Sequence, residues 1–92
     1  MATEWPAHDP DELLDYGIDW STRLEEGDRI VASTWTTPPG GPTLSTPGRT
    51  DTATTIWITG GTAGESYRIG NRVTTAAGRV MDDSKRLTVR EK

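Results

Sequence analysis

Short runs of side chains that alternate between apolar and polar, separated by turn residues, most limit what this chain can fold into. One such run extends from Leu14 to Trp20, and a second begins at Tyr67. A period of two places successive side chains on opposite faces of a strand, whereas a helix requires a period of 3.6. No helical period is sustained along the chain and no segment is repeated. The pattern predicts about seven short strands in a sandwich or barrel.

Further strands are predicted at residues 29–36, 51–59 and 79–90, with a weaker one near Leu44. The stretch at residues 37–42 is rich in Pro and Gly, and because Pro cannot donate to a strand ladder this stretch is a loop. The side chains that alternate into the predicted core are Trp20, Trp35, Ile56, Ile58, Val73, Leu87 and Val89.

Composition is typical of a small β domain that is held together by packing alone. The chain has 92 residues, which is enough for one domain with a thin core but leaves little room for a large substrate cleft. It contains sixteen Thr, whose β-branched side chains pack well on pleated, half-buried surfaces. Cysteine is absent, which excludes disulfides and thiolate metal sites.

Charge divides the chain into two unlike parts. Residues 1–28 carry nine acids and one base, a net of −8, whereas residues 29–92 carry five acids and nine bases, a net of +4. The acidic part is expected to lie along the basic body of its own domain or of a neighbouring copy, unless both are simply solvated surfaces. The total of −4 argues against a nucleic-acid partner, because binding DNA requires a basic face.

The sequence shows no features of a secreted or membrane-bound protein. Its first residues lack the cationic start and apolar run of a secretory signal. No stretch approaches the ~18 apolar residues that a membrane span requires. We therefore expect a soluble protein that is made in a cytoplasm and has no membrane partner.

Residues 1–12 are predicted to form an extended, acidic N-terminal arm in front of a folded domain at residues 13–92. Pro6 and Pro10 prevent regular structure in this arm. Trp5 is its one large apolar side chain, and Trp is a favoured anchor at protein interfaces. Trp5 is therefore a candidate contact with a partner; the alternative is that it folds back on its own domain.

Trp57 is the second candidate partner residue. Its neighbours Ile56 and Ile58 take the core face of their strand, so alternation turns Trp57 outward. There it either caps a sheet edge or meets a partner. A carbohydrate-binding module would use such a Trp to stack on a sugar ring, and it would need a second aromatic side chain on the same face.

The stretch GGTAGESY at residues 60–67 is either a phosphate-binding loop or a corner between two sheets. A P-loop requires a Lys after its last glycine and a helix behind it, and neither follows here. A corner requires glycines such as Gly60 and Gly64, which adopt backbone angles that other residues resist. In Ig-like sandwiches a Tyr in the position of Tyr67 bonds to the backbone of the corner. The stretch therefore predicts an all-β, Ig-like or fibronectin-III-like sandwich.

No catalytic, metal or cofactor site is predicted. His8 is the only histidine and falls in the predicted arm, which would not hold it against a nucleophile. Asp82 and Asp83 are adjacent, so their carboxylates are expected to point apart into solvent. Asn71 lies in an otherwise apolar inward series, and we expect it to be a hydrogen-bonded structural residue.

Short motifs that follow one another along nearly the whole chain carry a resemblance to a known family. They are Asp15-Tyr16, Ile18-Asp19-Trp20, Gly27-Asp28-Arg29-Ile30, Ser33-Thr34-Trp35-Thr36, residues 51–58, Gly60-Gly61-Thr62-Ala63-Gly64, Tyr67, Asn71-Arg72-Val73-Thr74-Thr75, Gly78-Arg79 and Leu87-Thr88-Val89. In this order they resemble the small fibre–tail adaptor proteins of tailed bacteriophages, over about residues 12–90.

The resemblance implies an Ig-like sandwich in the virion that links tail fibres to the tail tube or tail adaptor. It implies a protein without enzymatic activity or cofactor, made in the host bacterial cytoplasm. The implied partners are other phage tail proteins and neighbouring copies of the chain. An alternative is an Ig-like module that binds carbohydrate or decorates a capsid.

Overall fold

The computed structural model describes residues 4–92, which fold into two antiparallel sheets of three strands each. One sheet has the strand order β1-β4-β3 and the other has the order β2-β5-β6. The predicted all-β sandwich is confirmed; residues 1–3 of the predicted arm lie outside the described residues. The strands are β1 (Leu13–Asp19), β2 (Ile30–Thr36), β3 (Thr43–Arg49), β4 (Ala53–Thr59), β5 (Ser66–Thr75) and β6 (Val80–Thr88).

The strand order is that of an immunoglobulin sandwich. In that fold the second, fifth and fourth strands share one sheet, and the third, sixth and seventh strands share the other. The six strands reproduce this order if an N-terminal strand precedes β1. Residues Glu4 and His8 stand in that position, since they form parallel bridges to Arg86 and Val89 at the outer edge of β6.

The core lies between the sheets because the strands, β1, β4 and β5 most regularly, turn alternate side chains inward. In β5, for example, Ile69, Asn71 and Val73 are buried, whereas Arg68 and Arg72 at alternate positions are exposed. Two apolar clusters fill the space. One contains Tyr16, Ile56, Ile58, Ile69 and Leu87, and the other contains Ile18, Trp20, Ile30, Val73 and Met81; Trp35 packs partly buried against both, and Val89 is also buried.

A buried hydrogen-bond network centred on Asn71 joins the two sheets. The Asn71 Oδ1 atom accepts from Thr54 Oγ1 at 2.6 Å and from Trp20 Nε1 at 3.2 Å. Its Nδ2 donates to Ser33 Oγ and to the Thr34 carbonyl, both at 2.9 Å. Asn71 is thus a fully bonded structural residue that ties β5 to both β4 and β2.

Two edge strands deviate from the simple alternation. In β2 a register shift between Ile30 and Ala32 buries Ile30 and exposes Val31. The predicted weaker strand near Leu44 is β3, which continues past Pro47 to Arg49 through a second irregularity. Because β3 is an edge strand, the N–H that Pro47 lacks is not required for pairing.

Helical structure within residues 4–92 is limited to one 3-10 turn, Ser21–Arg23. No helix in this part of the chain is long and apolar enough to span a bilayer.

Candidate partner surfaces

The N-terminal segment, residues 4–9, lies along the outer edge of β6. The Trp5 N–H donates to the Arg86 carbonyl at 3.1 Å, and the His8 N–H donates to the Thr88 carbonyl at 2.9 Å. The Arg90 N–H returns a bond of 2.9 Å to the His8 carbonyl. This segment is therefore extended, and it covers a sheet edge that would otherwise be open to pairing.

The side chain of Trp5 closes the gap between the two sheets. It is half-buried and packs against both apolar clusters, with its ring centroid 4.9 Å from that of Tyr16 and 6.1 Å from that of Trp35. Its indole N–H donates to the Gly17 carbonyl at 3.1 Å. The structure thus places Trp5 on its own domain. A partner contact through Trp5 stays a prediction, and it would require the segment to leave β6.

His8, which belongs to the same segment, is fully buried. Its Nδ1 shares a hydrogen bond of 2.9 Å with the Tyr16 hydroxyl, while its Nε2 has no hydrogen-bond partner in the described chain. Burial lowers the pKa of His8, and the nearby Glu12 carboxylate opposes this shift only in part. No pattern in the sequence indicates this burial, because the residue that pairs with His8 lies about 80 positions further along the chain. His8 therefore acts as a neutral core residue.

The glycine-rich stretch carries the chain from β4 in one sheet to β5 in the other. The Tyr67 hydroxyl accepts a hydrogen bond of 3.0 Å from the Thr62 N–H, five residues upstream. A Cβ atom on Gly61 would lie 2.9 Å from Val89 Cγ2 and 3.4 Å from the Tyr67 ring, so only glycine fits there. The glycines with positive φ in this corner are Gly60, Gly61 and Gly64, at 82°, 95° and 91°.

The outer face of the β1-β4-β3 sheet is acidic and carries Trp57. In the register of this sheet Trp57 lies directly between Asp15 on β1 and Ser45 on β3. Its side chain is 36% exposed, as alternation predicted. Asp15 is exposed and forms no ion pair within the described chain. We call this surface, with Leu13, Asp15, Asp19 and Trp57, the acidic face.

The outer face of the β2-β5-β6 sheet carries a groove between two arginines. Gly70 forms its floor, and the groove encloses about 430 Å³. On one side Arg72 makes a two-pronged ion pair with Asp82, at 2.8 and 3.2 Å. On the other side Arg68 Nε donates to Ser84 Oγ at 2.9 Å. We call this surface, lined by Thr34, Thr36, Arg68, Gly70, Asn71, Arg72, Asp82, Asp83 and Ser84, the arginine groove.

Most nearby charges are compensated within the domain, but Arg68 is not. Arg86 pairs with Glu4 at 3.4 Å and Lys92 pairs with Glu12 at 3.0 Å, which places acids of the N-terminal part along the basic body. These pairs are exposed, so each contributes at most ~1 kcal/mol to stability. Among residues 4–92, Arg68 has no carboxylate partner. Its guanidinium is held in place by Ser84 and remains available for an acid from outside.

One group of carboxylates lies near the chain end. Oxygen atoms of Asp9, Asp11 and Glu91 approach within 4.8 Å of one another. The Asp9 carboxylate already accepts the backbone N–H of Asp11 and that of Lys92, both at 2.8 Å, and these bonds lower the pKa of Asp9. An exposed acidic cluster of this kind does not by itself define a metal site.

A protein-family model described as the podophage GP4 fiber-tail adaptor protein gp77 matches residues 8–88. The match begins at the buried His8 and includes all six strands and the corner. The chain belongs to this family. Comparison with curated proteins finds no match. The resemblance inferred from the sequence motifs is thus confirmed, and the protein is a bacteriophage structural protein of the fibre–tail adaptor type.

Proposed function

We propose that this protein connects tail fibres to the tail tube or tail adaptor of a podophage virion. The observation that carries the proposal is the family match over residues 8–88, which includes nearly all of the folded chain. The connector would be made in the cytoplasm of the host bacterium and then built into the tail. This role requires neither a catalytic step nor a cofactor.

The geometry suits a connector because it presents two unlike surfaces. The acidic face and the arginine groove lie on opposite outer sides of the sandwich, since they belong to different sheets. Facing sheets are separated by ~10 Å. Two partner proteins bound to the two outer faces are therefore held close together without touching each other. The acidic face carries the unpaired Asp15, whereas the groove carries the unpaired Arg68, and this difference favours different partners for each side.

The carbohydrate-binding alternative predicted a second aromatic side chain beside Trp57. The cross-strand neighbours of Trp57 are Asp15 and Ser45, and neither is aromatic. This surface therefore supports a protein contact better than a sugar platform.

The test is a phage in which the gene for this chain is disrupted, with the protein supplied from a plasmid as the control. We expect particles with complete tails that lack fibres, and the plasmid copy should restore them. Electron microscopy and the protein composition of purified particles provide the measurement. Particles that keep their fibres would contradict the proposal, and so would particles that lack the tail itself.

A further inference from the structure

We propose that the arginine groove of one copy receives the acidic face of a second copy, with Trp57 entering the groove and Asp15 pairing with Arg68. This self-contact deepens the proposed connector role and rests on it only for its setting in the virion. The contact itself follows from charge, shape and register in the described chain.

Charge is the first argument. Arg68 and Asp15 are both exposed, and neither forms an ion pair within residues 4–92. They lie on opposite outer faces, so they do not meet within one molecule. Two copies that stack face to groove bring them together, whereas two acidic faces repel each other and two grooves, in which Asp82 and Asp83 balance the two arginines, bring no such pair together. Charge therefore selects this pairing over the two symmetric ones.

Shape is the second argument. Trp57 is a large, partly exposed knob at the centre of the acidic face, on the middle strand of its sheet. Gly70 is the matching hollow at the centre of the other sheet. A Cβ atom there would lie 2.7 Å from Thr36 Oγ1, so the floor stays bare. An indole ring over Gly70 would also lie beside the Arg72 guanidinium, a favourable arrangement for a cation–π contact.

The strand register allows the Trp57–Gly70 contact and the Asp15–Arg68 pair to form together. Asp15 is directly opposite Trp57 across the strand pair, which sets their Cβ atoms ~5 Å apart. Arg68 lies two residues from Gly70 on β5, a distance of ~7 Å along the strand. A Trp57 ring seated over Gly70 therefore brings Asp15 within reach of the long Arg68 side chain.

A contact between two different faces is heterologous, so each copy keeps one free face after pairing. Repetition produces a closed ring or an open chain, depending on the rotation between neighbours. A symmetric dimer is not expected. Oligomers larger than a dimer therefore distinguish this contact from the contact of a symmetric dimer.

The experiment measures the mass of the purified chain by sedimentation velocity over a wide concentration range. Wild type is expected to form oligomers that dissociate in ~0.5 M salt, because screening weakens the Asp15–Arg68 pair. Arg68→Glu and Asp15→Lys should each weaken association by about tenfold or more. The two variants mixed together should associate again, because every face-to-groove contact between unlike copies then brings opposite charges together at positions 15 and 68.

Matched variants separate the contact from general effects. Arg29→Glu makes the same charge change as Arg68→Glu at an exposed site outside the groove and should leave association unchanged. Val31 is 37% exposed, close to the 36% of Trp57, so Val31→Thr is the control for Trp57→Ser. Only Trp57→Ser should weaken association.

Three results would overturn the proposal: a wild-type monomer at every concentration, equal effects of Arg29→Glu and Arg68→Glu, or a mixture of variants that stays monomeric. Fibre attachment in particles is scored separately. A monomeric protein that still restores fibres removes the self-contact and leaves the connector role intact. Loss of fibres in Arg68→Glu with unchanged self-association would mean that the groove binds another tail protein, which also contradicts the proposal.

Discussion

The N-terminal segment and the glycine-rich corner lie side by side, yet they are held in place in different ways. Both bond to the end of the chain: Gly64 N–H donates to the Val89 carbonyl at 2.8 Å, and Arg90 N–H donates to the His8 carbonyl at 2.9 Å. The bend of the corner is set within eight residues by its glycines and by a bond between Tyr67 and the backbone, and its contacts with Val89 hold it against the domain. The N-terminal segment is fixed by contacts with residues about 80 positions away. At this end of the sandwich, local features shape the corner, whereas distant contacts hold the N-terminal segment in place.

The largest expected effect is the loss of the Trp5 side chain from the N-terminal segment. Trp5→Ala should lower the free energy of unfolding by about 3 kcal/mol, because a half-buried indole between two core clusters is removed. Trp57→Ala is the control and should cost less than ~1 kcal/mol. Urea unfolding measures both. Equal effects would show that the N-terminal segment is not part of the stable domain.

The corner is tested by Gly61→Ala. We expect a loss of about 2 kcal/mol, because the new methyl group meets Val89 and the backbone has a positive φ. Gly64→Ala is the control: it has a similar φ but nothing within 4 Å, so it isolates the backbone cost of about 1 kcal/mol. If the two variants are equally stable, the contact with Val89 does not constrain the corner.

Each region is also bonded by one tyrosine hydroxyl, that of Tyr16 on β1 for the N-terminal segment and that of Tyr67 for the corner, which permits a direct comparison. Tyr16→Phe removes the buried bond to His8 and should cost about 1–2 kcal/mol, since the imidazole Nδ1 is left without a partner. Tyr67→Phe removes a partly exposed bond to Thr62 and should cost about 0.5–1 kcal/mol, because water replaces the hydroxyl. Thermal unfolding under one set of conditions ranks them. The reverse order would contradict the burial of His8.

The smallest expected effect is a pH dependence confined to the N-terminal segment. Because burial lowers the pKa of His8, the stability that it contributes is complete above ~6.5, its unfolded value, and is lost as pH falls from there toward the lower folded value. Asp9 and Glu12 face it with lowered pKa values and titrate below this window.

The midpoint temperature of thermal unfolding should therefore fall more steeply between pH ~7.5 and ~5 in wild type than in His8→Gln. Hydrogen exchange should accelerate at the Arg90 amide before it does at the Gly64 amide, since the first bonds to the N-terminal segment and the second to the corner. Parallel curves for the two proteins would show that His8 stays neutral without affecting stability.

The sequence was sufficient for features that depend on neighbours along the chain. Alternation located the strands, and the glycines with Tyr67 identified the corner, because strand period and backbone angles are local properties. Asn71 was recognised as a hydrogen-bonded residue from its place in an apolar series, although its four partners were not predictable.

Features that depend on pairing between distant residues were missed. Trp5 and His8 were assigned to an arm because nothing in residues 1–12 indicates the edge of β6. The arginine groove was also missed: alternation turns Arg68 and Arg72 outward, but the hollow at Gly70 requires knowledge of which residues flank it on β2 and β6. The bulge at Val31 likewise depends on how β2 pairs with β5.

The Asn71 network has a consequence for how the strands find their alignment. A slip of β5 by one residue would turn its apolar side chains to solvent, but a slip by two residues keeps every side chain on its face. Apolar packing alone therefore distinguishes poorly between these two alignments. A two-residue slip would bury the Asn71 amide away from Thr54 and Trp20 and leave several polar groups without partners, at a cost of ~1–3 kcal/mol each. One amide thus makes a single alignment of the sheets far more stable than its nearest competitor.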